Sequence, residues 1–126
     1  MRTNRMASLA AAAALLSAFA ARAGEPKKTP ELLAKGKASF ELNCASCHGP
    51  SGAGDGPAAA ALDPKPRNLA TAPLKKGDKP AQIFATLGQG LPNTAMIAFT
   101  HLPEEERWAL AYHVAALREA AKGKKK

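Results

Sequence analysis

A chain of 126 residues with 46% apolar but only 5% aromatic side chains has the size of one domain and little bulk from which to build a core. Its two cysteines exclude a disulfide framework, which needs several pairs. The net charge of +8 does not signal nucleic-acid binding, because no basic recognition helix or aromatic–basic platform accompanies it, and much of it lies at the ends, in Arg2, Arg5 and Arg22 and in Lys122, Lys124, Lys125 and Lys126.

Residues 1–23 read as a secretory signal peptide. Arg2 and Arg5 supply the positive start, Ala7 to Ala20 the apolar stretch, and Ala21-Arg22-Ala23 a small-x-small cleavage site. The apolar stretch is shorter than the roughly 20 residues that span a bilayer, so no integral membrane segment is expected in the mature chain. No cysteine precedes Cys44, which excludes a lipid on a cysteine at the leader's end. Export, to the periplasm, is the expectation. Residues 24–29 read as a flexible arm. Thr29-Pro30-Glu31 then supplies an N-cap, a first-position proline and a first-turn acid, so a helix is expected to start there. Leu33, Gly36 and Phe40 form one stripe along it. Gly36 costs about 1 kcal/mol relative to alanine inside a helix, a cost explained if another helix crosses too closely for a side chain.

Cys44-Ala45-Ser46-Cys47-His48 follows: two thiols three residues apart and an imidazole directly after them. On a helical turn residues i and i+3 share a side, so both thiols reach the two vinyl groups on one porphyrin edge and His48 lies under the iron. Three other readings of the five residues are weaker. Zinc needs four ligands, and His101 and His113 are not ligand-spaced. A thioredoxin-like redox pair needs a preceding strand, which is not evident. A disulfide strains a helical turn and leaves His48 without a role.

Glycine and proline crowd residues 49–92, so long loops are expected, organised by a cofactor at their centre. Gly49, Gly52, Gly54 and Gly56 would bring backbone close to a porphyrin. Pro57 to Leu62 reads as a single helical turn. Asp78 to Leu87 reads as a short helix, with Asp78 as cap, Ile83, Phe84 and Leu87 on its apolar side, and Gly88 as its end. Once the leader is removed, Met96 is the remaining methionine, in the irregular segment Gly90-Leu91-Pro92-Asn93-Thr94-Ala95-Met96. It is the expected second iron ligand, with His101 as the competitor. The last helix opens at Leu102-Pro103-Glu104-Glu105-Glu106 and runs to about Ala121, with Trp108, Ala111, Tyr112 and Ala115 on one stripe. Residues 122–126 form a basic tail.

In this order, the glycine-bearing first helix, Cys44-Ala45-Ser46-Cys47-His48-Gly49, Gly54-Asp55-Gly56-Pro57, the segment ending at Met96 and the last helix resemble the class I monohaem cytochromes c of bacteria. The resemblance covers about residues 30–120, inside a domain placed at 30–121. It implies an all-α cytochrome c fold: three to four short helices and long loops around one covalently bound haem, with the first and last helices crossed, Gly36 and Phe40 lying against the helix of Trp108 and Tyr112. It also implies one haem c per chain, bound through Cys44 and Cys47, with its iron between His48 and Met96. In many relatives proline follows the ligand methionine; here Ile97 does. Pro64-Lys65-Pro66-Arg67-Asn68-Leu69 resembles a segment near the haem propionates, which makes Arg67 a candidate charge partner.

The role implied is electron transfer between redox-protein donors and acceptors, with no catalytic residue of its own. Lys65, Arg67, Lys75, Lys76 and Lys79 suit an acidic partner surface. A compact monomer is the expectation for this size. A haem subunit of a larger oxidoreductase is the alternative, and a peroxidase-like or gas-sensing protein with labile Met96 a further one. Without haem, the thin apolar inventory predicts an unfolded polypeptide.

Overall fold

The computed structural model describes residues 24–126, and all regular structure among them is helical. The expected leader, residues 1–23, lies outside the described residues. The elements are α1 (Pro30–Asn43), α2 (Ala45–His48), a 3₁₀ turn (Ala59–Ala61), α3 (Pro80–Gln89) and α4 (Glu104–Gly123).

The start of α1 is as the residues dictate. Thr29 is extended, its hydroxyl accepts the Leu32 amide at 3.1 Å, and Pro30 opens the first turn. The buried face of α1 is Leu32, Gly36, Ser39 and Phe40, so Leu32 replaces Leu33 at the head of the stripe and Leu33 packs beside it. Gly36 is the contact point with α4. A Cβ there would run into the Ala109 carbonyl group, 2.6 Å from its carbon, and would lie 3.1 Å from the His113 Cβ. The Phe40 ring packs against that of His113 at 4.9 Å between centroids. Thus α1 lies against the helix that bears Trp108 and Tyr112, as expected, and Gly36 and Phe40 meet it at Ala109 and His113. The helix periodicity turns Trp108 and Tyr112 toward other neighbours: Trp108 stacks on Phe84 of α3 at 4.1 Å, and the Tyr112 hydroxyl donates to the Pro26 carbonyl at 2.6 Å. A polar seam flanks the α1–α4 contact, where the Ser39 hydroxyl donates to Glu106 at 2.6 Å and Lys35 pairs with Glu105 at 2.7 Å.

Both ends of α3 differ from the sequence reading, and α4 runs on to Gly123, two residues into the expected tail. Lys79, not Asp78, caps α3: the Gln82 side-chain oxygen accepts the Lys79 amide at 3.1 Å, while Asp78 turns to Arg118 at 3.4 Å. Gly88 lies inside α3, which ends one residue before Gly90, where φ reaches +67°. The left-handed backbone that stops the helix is at Gly90. In α4 the proline is the cap and the acids Glu104, Glu105 and Glu106 fill the first turn, opposing the positive end of the helix dipole. Phe40 and Leu110 are each 1% exposed and Ala109 is fully buried, which places the core between α1 and the middle of α4.

Candidate functional site

The chain breaks helical geometry at Cys44 (φ −123°, ψ −35°) and resumes it in α2. The amides of His48 and Gly49 bond back to the Cys44 and Ala45 carbonyls, each at 2.9 Å, so the five-residue run is one hydrogen-bonded turn. The carbonyls left over at its end are capped by the glycine-rich loop. Gly54 N donates to His48 O at 2.7 Å, Gly56 N to Cys47 O at 3.1 Å and Ala58 N to Ser46 O at 2.8 Å. Gly56 lies so close to the Ala45 and Ser46 carbonyls that a Cβ would collide with them. None of Gly49, Gly52, Gly54 and Gly56 lines the cavity described below, contrary to the expectation that they pack on a porphyrin. Gly56 instead serves the fold-back of the loop onto α2, while Gly52 and Gly54 let residues 66–69 and Leu117 pack close.

Both cysteines are free thiols, Cys44 buried and Cys47 partly so. Burial, reinforced by the neighbouring Cys47, pushes the Cys44 thiol up to about 12, which keeps it protonated at neutral pH. No cluster of three or more His, Cys, Asp or Glu that would hold a metal ion occurs among the described residues. His48 Nδ1 lies 2.9 Å from the Arg67 carbonyl oxygen. A carbonyl only accepts, so Nδ1 carries the proton and Nε2 keeps a free lone pair. Burial lowers the His48 pKa, with the bond to Arg67 opposing it, and so favours the neutral ring.

A cavity of ≈ 370 Å³ brings the sequence-predicted residues together: Cys44, Cys47, His48 and Met96 all line it. Phe40, Ile83, Leu87, Phe99, Leu110 and Val114 supply apolar wall from three helices and the loop before α4. His101 does not line it; that side chain is exposed, 5.7 Å from the Phe99 ring. Met96 is presented by a loop with its own hydrogen bonds. The Thr94 hydroxyl donates to Leu91 O at 2.8 Å and accepts Met96 N at 3.1 Å, Leu91 N bonds Met96 O at 2.9 Å, and Phe99 N ties the loop to Leu87 O of α3 at 2.7 Å. Asn93, at φ +59°, makes the bend between them.

Sequence reasoning missed three participants. The backbone of Arg67, not its charge, orients His48, while its guanidinium donates to Pro73 O at 2.8 Å. Thr94 organises the methionine loop. Arg118, buried on α4, donates to Leu69 O at 2.7 Å and Ala72 O at 2.9 Å. A charged residue at an apolar-stripe position of the last helix was the available signal for Arg118; backbone carbonyl roles leave none.

The cytochrome c family model matches residues 33–118. The chain belongs to the cytochrome c family. A chain of the reducing HAO-like protein complex of Kuenenia stuttgartiensis is similar to it in structure, with a TM-score of 0.68 and 32% identity over 74% of this chain and 46% of that one. This cytochrome therefore spans less than half the length of that solved chain. No curated protein matches it. As a cytochrome c it is an electron-transfer haem protein with covalently bound haem c and its iron. The residues present fit that group: a largely apolar, partly open cavity is lined by two free thiols on one turn and by an imidazole whose Nε2 is unprotonated.

Proposed function

We propose that this cytochrome is a monohaem, one-electron carrier working outside the cytoplasmic membrane, its six-coordinate iron held by His48 and Met96. The observation that carries the reading is that Cys44, Cys47, His48 and Met96, fifty-odd residues apart at the extremes, line one cavity. The bound haem supplies a one-electron couple between ferrous and ferric iron. Cys44 and Cys47, both free thiols, would hold it covalently by adding across its two vinyl groups, sulfur to one carbon and hydrogen to the other, with no oxidant needed. Arg67 O fixes the His48 tautomer and ring plane, which leaves Nε2 for the metal. The Met96 thioether, a soft donor, favours the ferrous state and raises the potential. With His48 and Met96 both donating to the metal, the chain itself would occupy the places that small molecules need. What remains for the protein is to pass electrons to a partner at the cavity mouth, where Ile97 is 60% exposed. Partner contacts of this kind are small, below about 1,200 Å² of buried surface. Export rests on the leader at 1–23, and the cations of residues 65–79 favour an acidic partner face.

The test is the ferric spectrum of the mature protein. The long-wavelength band of methionine–iron ligation is expected and should vanish in Met96→Ala; its absence from the unmodified protein would remove Met96 as ligand. Rapid cyanide or carbon monoxide binding to the resting protein would favour the peroxidase-like or gas-sensing alternative. The similar chain from a reducing HAO-like complex supports a second reading, a haem subunit of a larger oxidoreductase, and stable co-purification with other polypeptides would establish it over the free carrier.

A further inference from the structure

Four cations line the cavity, Lys65, Arg67, Lys75 and Lys76, and no Asp or Glu does. Two of the four are already engaged. Lys65 Nζ donates to Ala60 O at 2.7 Å and Ala59 O at 3.3 Å, and Arg67 Nη1 donates to Pro73 O at 2.8 Å. Lys75 and Lys76 enter no hydrogen bond or ion pair among the described residues. The nearest acid in sequence, Asp78, is taken by Arg118 at 3.4 Å. The two adjacent ammonium groups therefore lack a counter-charge, although their backbone is well anchored. They occupy the centre of a turn closed by the Gly77 amide on Leu74 O at 3.2 Å, with Gly77 at φ +98°. Buried Arg118 clamps both flanks of that turn, through Leu69 O and Ala72 O on one side and Asp78 on the other.

A haem carries two carboxylates on the edge remote from its vinyl groups, so attachment at Cys44 and Cys47 leaves a dianionic edge to be neutralised elsewhere in the cavity. We propose that Lys75 and Lys76 hold these carboxylates, and that Arg118 is a positioning residue that keeps their turn against the cavity. The inference rests on the haem reading above and deepens it. It moves the anchoring role from the Arg67 guanidinium to the lysine pair. It also removes two charges from the set free to steer a partner, leaving the exposed Lys65, Arg67 and Lys79.

The test uses the mature, haem-bearing protein. Under brief treatment with an amine-acylating reagent, Lys75 and Lys76 should react several-fold more slowly than Lys124, Lys125 and Lys126, read peptide by peptide by mass spectrometry. The reduction potential should be level between pH 5 and 8 in the parent. In the K75Q/K76Q double variant the carboxylates lose their cations and titrate about 1–2 pH units higher, so the potential should fall with rising pH inside that window. The K75R/K76R variant should restore the level profile, and K124Q/K125Q should not disturb it. His101 and His113 are present in all four proteins and cancel. Tail-like labelling of Lys75 and Lys76, or a level profile in K75Q/K76Q, would overturn the proposal while leaving the haem intact. Colourless protein with the mass of the bare chain would overturn the haem reading as well.

Discussion

Gly36→Ala tests the helix contact on which the fold is built. A helix interior gains about 1 kcal/mol when alanine replaces glycine, so on propensity alone the variant would be more stable. The structure reverses that sign. The added methyl would stand 2.6 Å from the Ala109 carbonyl carbon, and its obstacle is backbone in the middle of α4 that no rotamer change can move. Overpacking of this kind costs about 1–3 kcal/mol, and more where backbone must shift. Here the upper end applies, because Ala109, Leu110 and Ala111, the most buried run of α4, would retreat together. The expected net loss is about 2 kcal/mol, which for a domain of this size lowers Tm by roughly 8–16 °C. Gly123→Ala is the matched control: nothing lies within 4 Å of a Cβ there, so stability should be unchanged or slightly higher. Both are read by urea and thermal unfolding of the ferric holoprotein, followed by far-UV circular dichroism. A Gly36→Ala protein as stable as its parent would refute the contact.

Removing the proposed haem attachment with Cys44→Ser/Cys47→Ser should yield a chain without a cooperative thermal transition, since the cavity wall would have nothing to close on; a native-like transition would contradict this. Arg118→Leu strips the donors from Leu69 O and Ala72 O and should cost about 2–4 kcal/mol by urea titration, with little rescue by lysine, whose single ammonium does not match the planar fork. Tyr112→Phe loses the bonds to Pro26 O and Glu25 and should cost about 1 kcal/mol while speeding proteolysis within residues 24–29. His113 has its pKa lowered first by burial and then by Lys37, with Glu41 opposing. The unfolded chain therefore takes up this proton first, so its stabilising contribution is complete above about pH 6.5 and is lost as pH falls toward the folded value. The urea midpoint of the haem-bearing His113→Gln protein should depend less on pH in that range than that of its parent.

Much of the site was legible from local chemistry. The spacing Cys44-x-x-Cys47-His48 names its cofactor because thiol pairing and ligand position are decided within one helical turn. Thr29-Pro30-Glu31 and the acids after Pro103 marked helix starts for an equally local reason, the unsatisfied amides of a first turn. The stripe of α1 was less secure, because Leu32 and Leu33 are neighbours and only the docking angle against α4 selects between them. Asp78 illustrates the same limit: a good cap by type, it is drawn away by a guanidinium forty residues later.

From residues alone, then, came the helical class, the candidate attachment turn, the candidate axial pair and the close helix contact at Gly36, all properties of single residues or of spacings shorter than a few turns. The folded chain decided what depends on distant segments meeting. It put Met96 and not His101 on the cavity wall, gave the Arg67 carbonyl to His48, turned Trp108 toward Phe84, and left Lys75 and Lys76 without partners beside an apolar space. Backbone carbonyls are identical in every residue, and charges pair by proximity, so neither assignment exists until the chain has closed on itself.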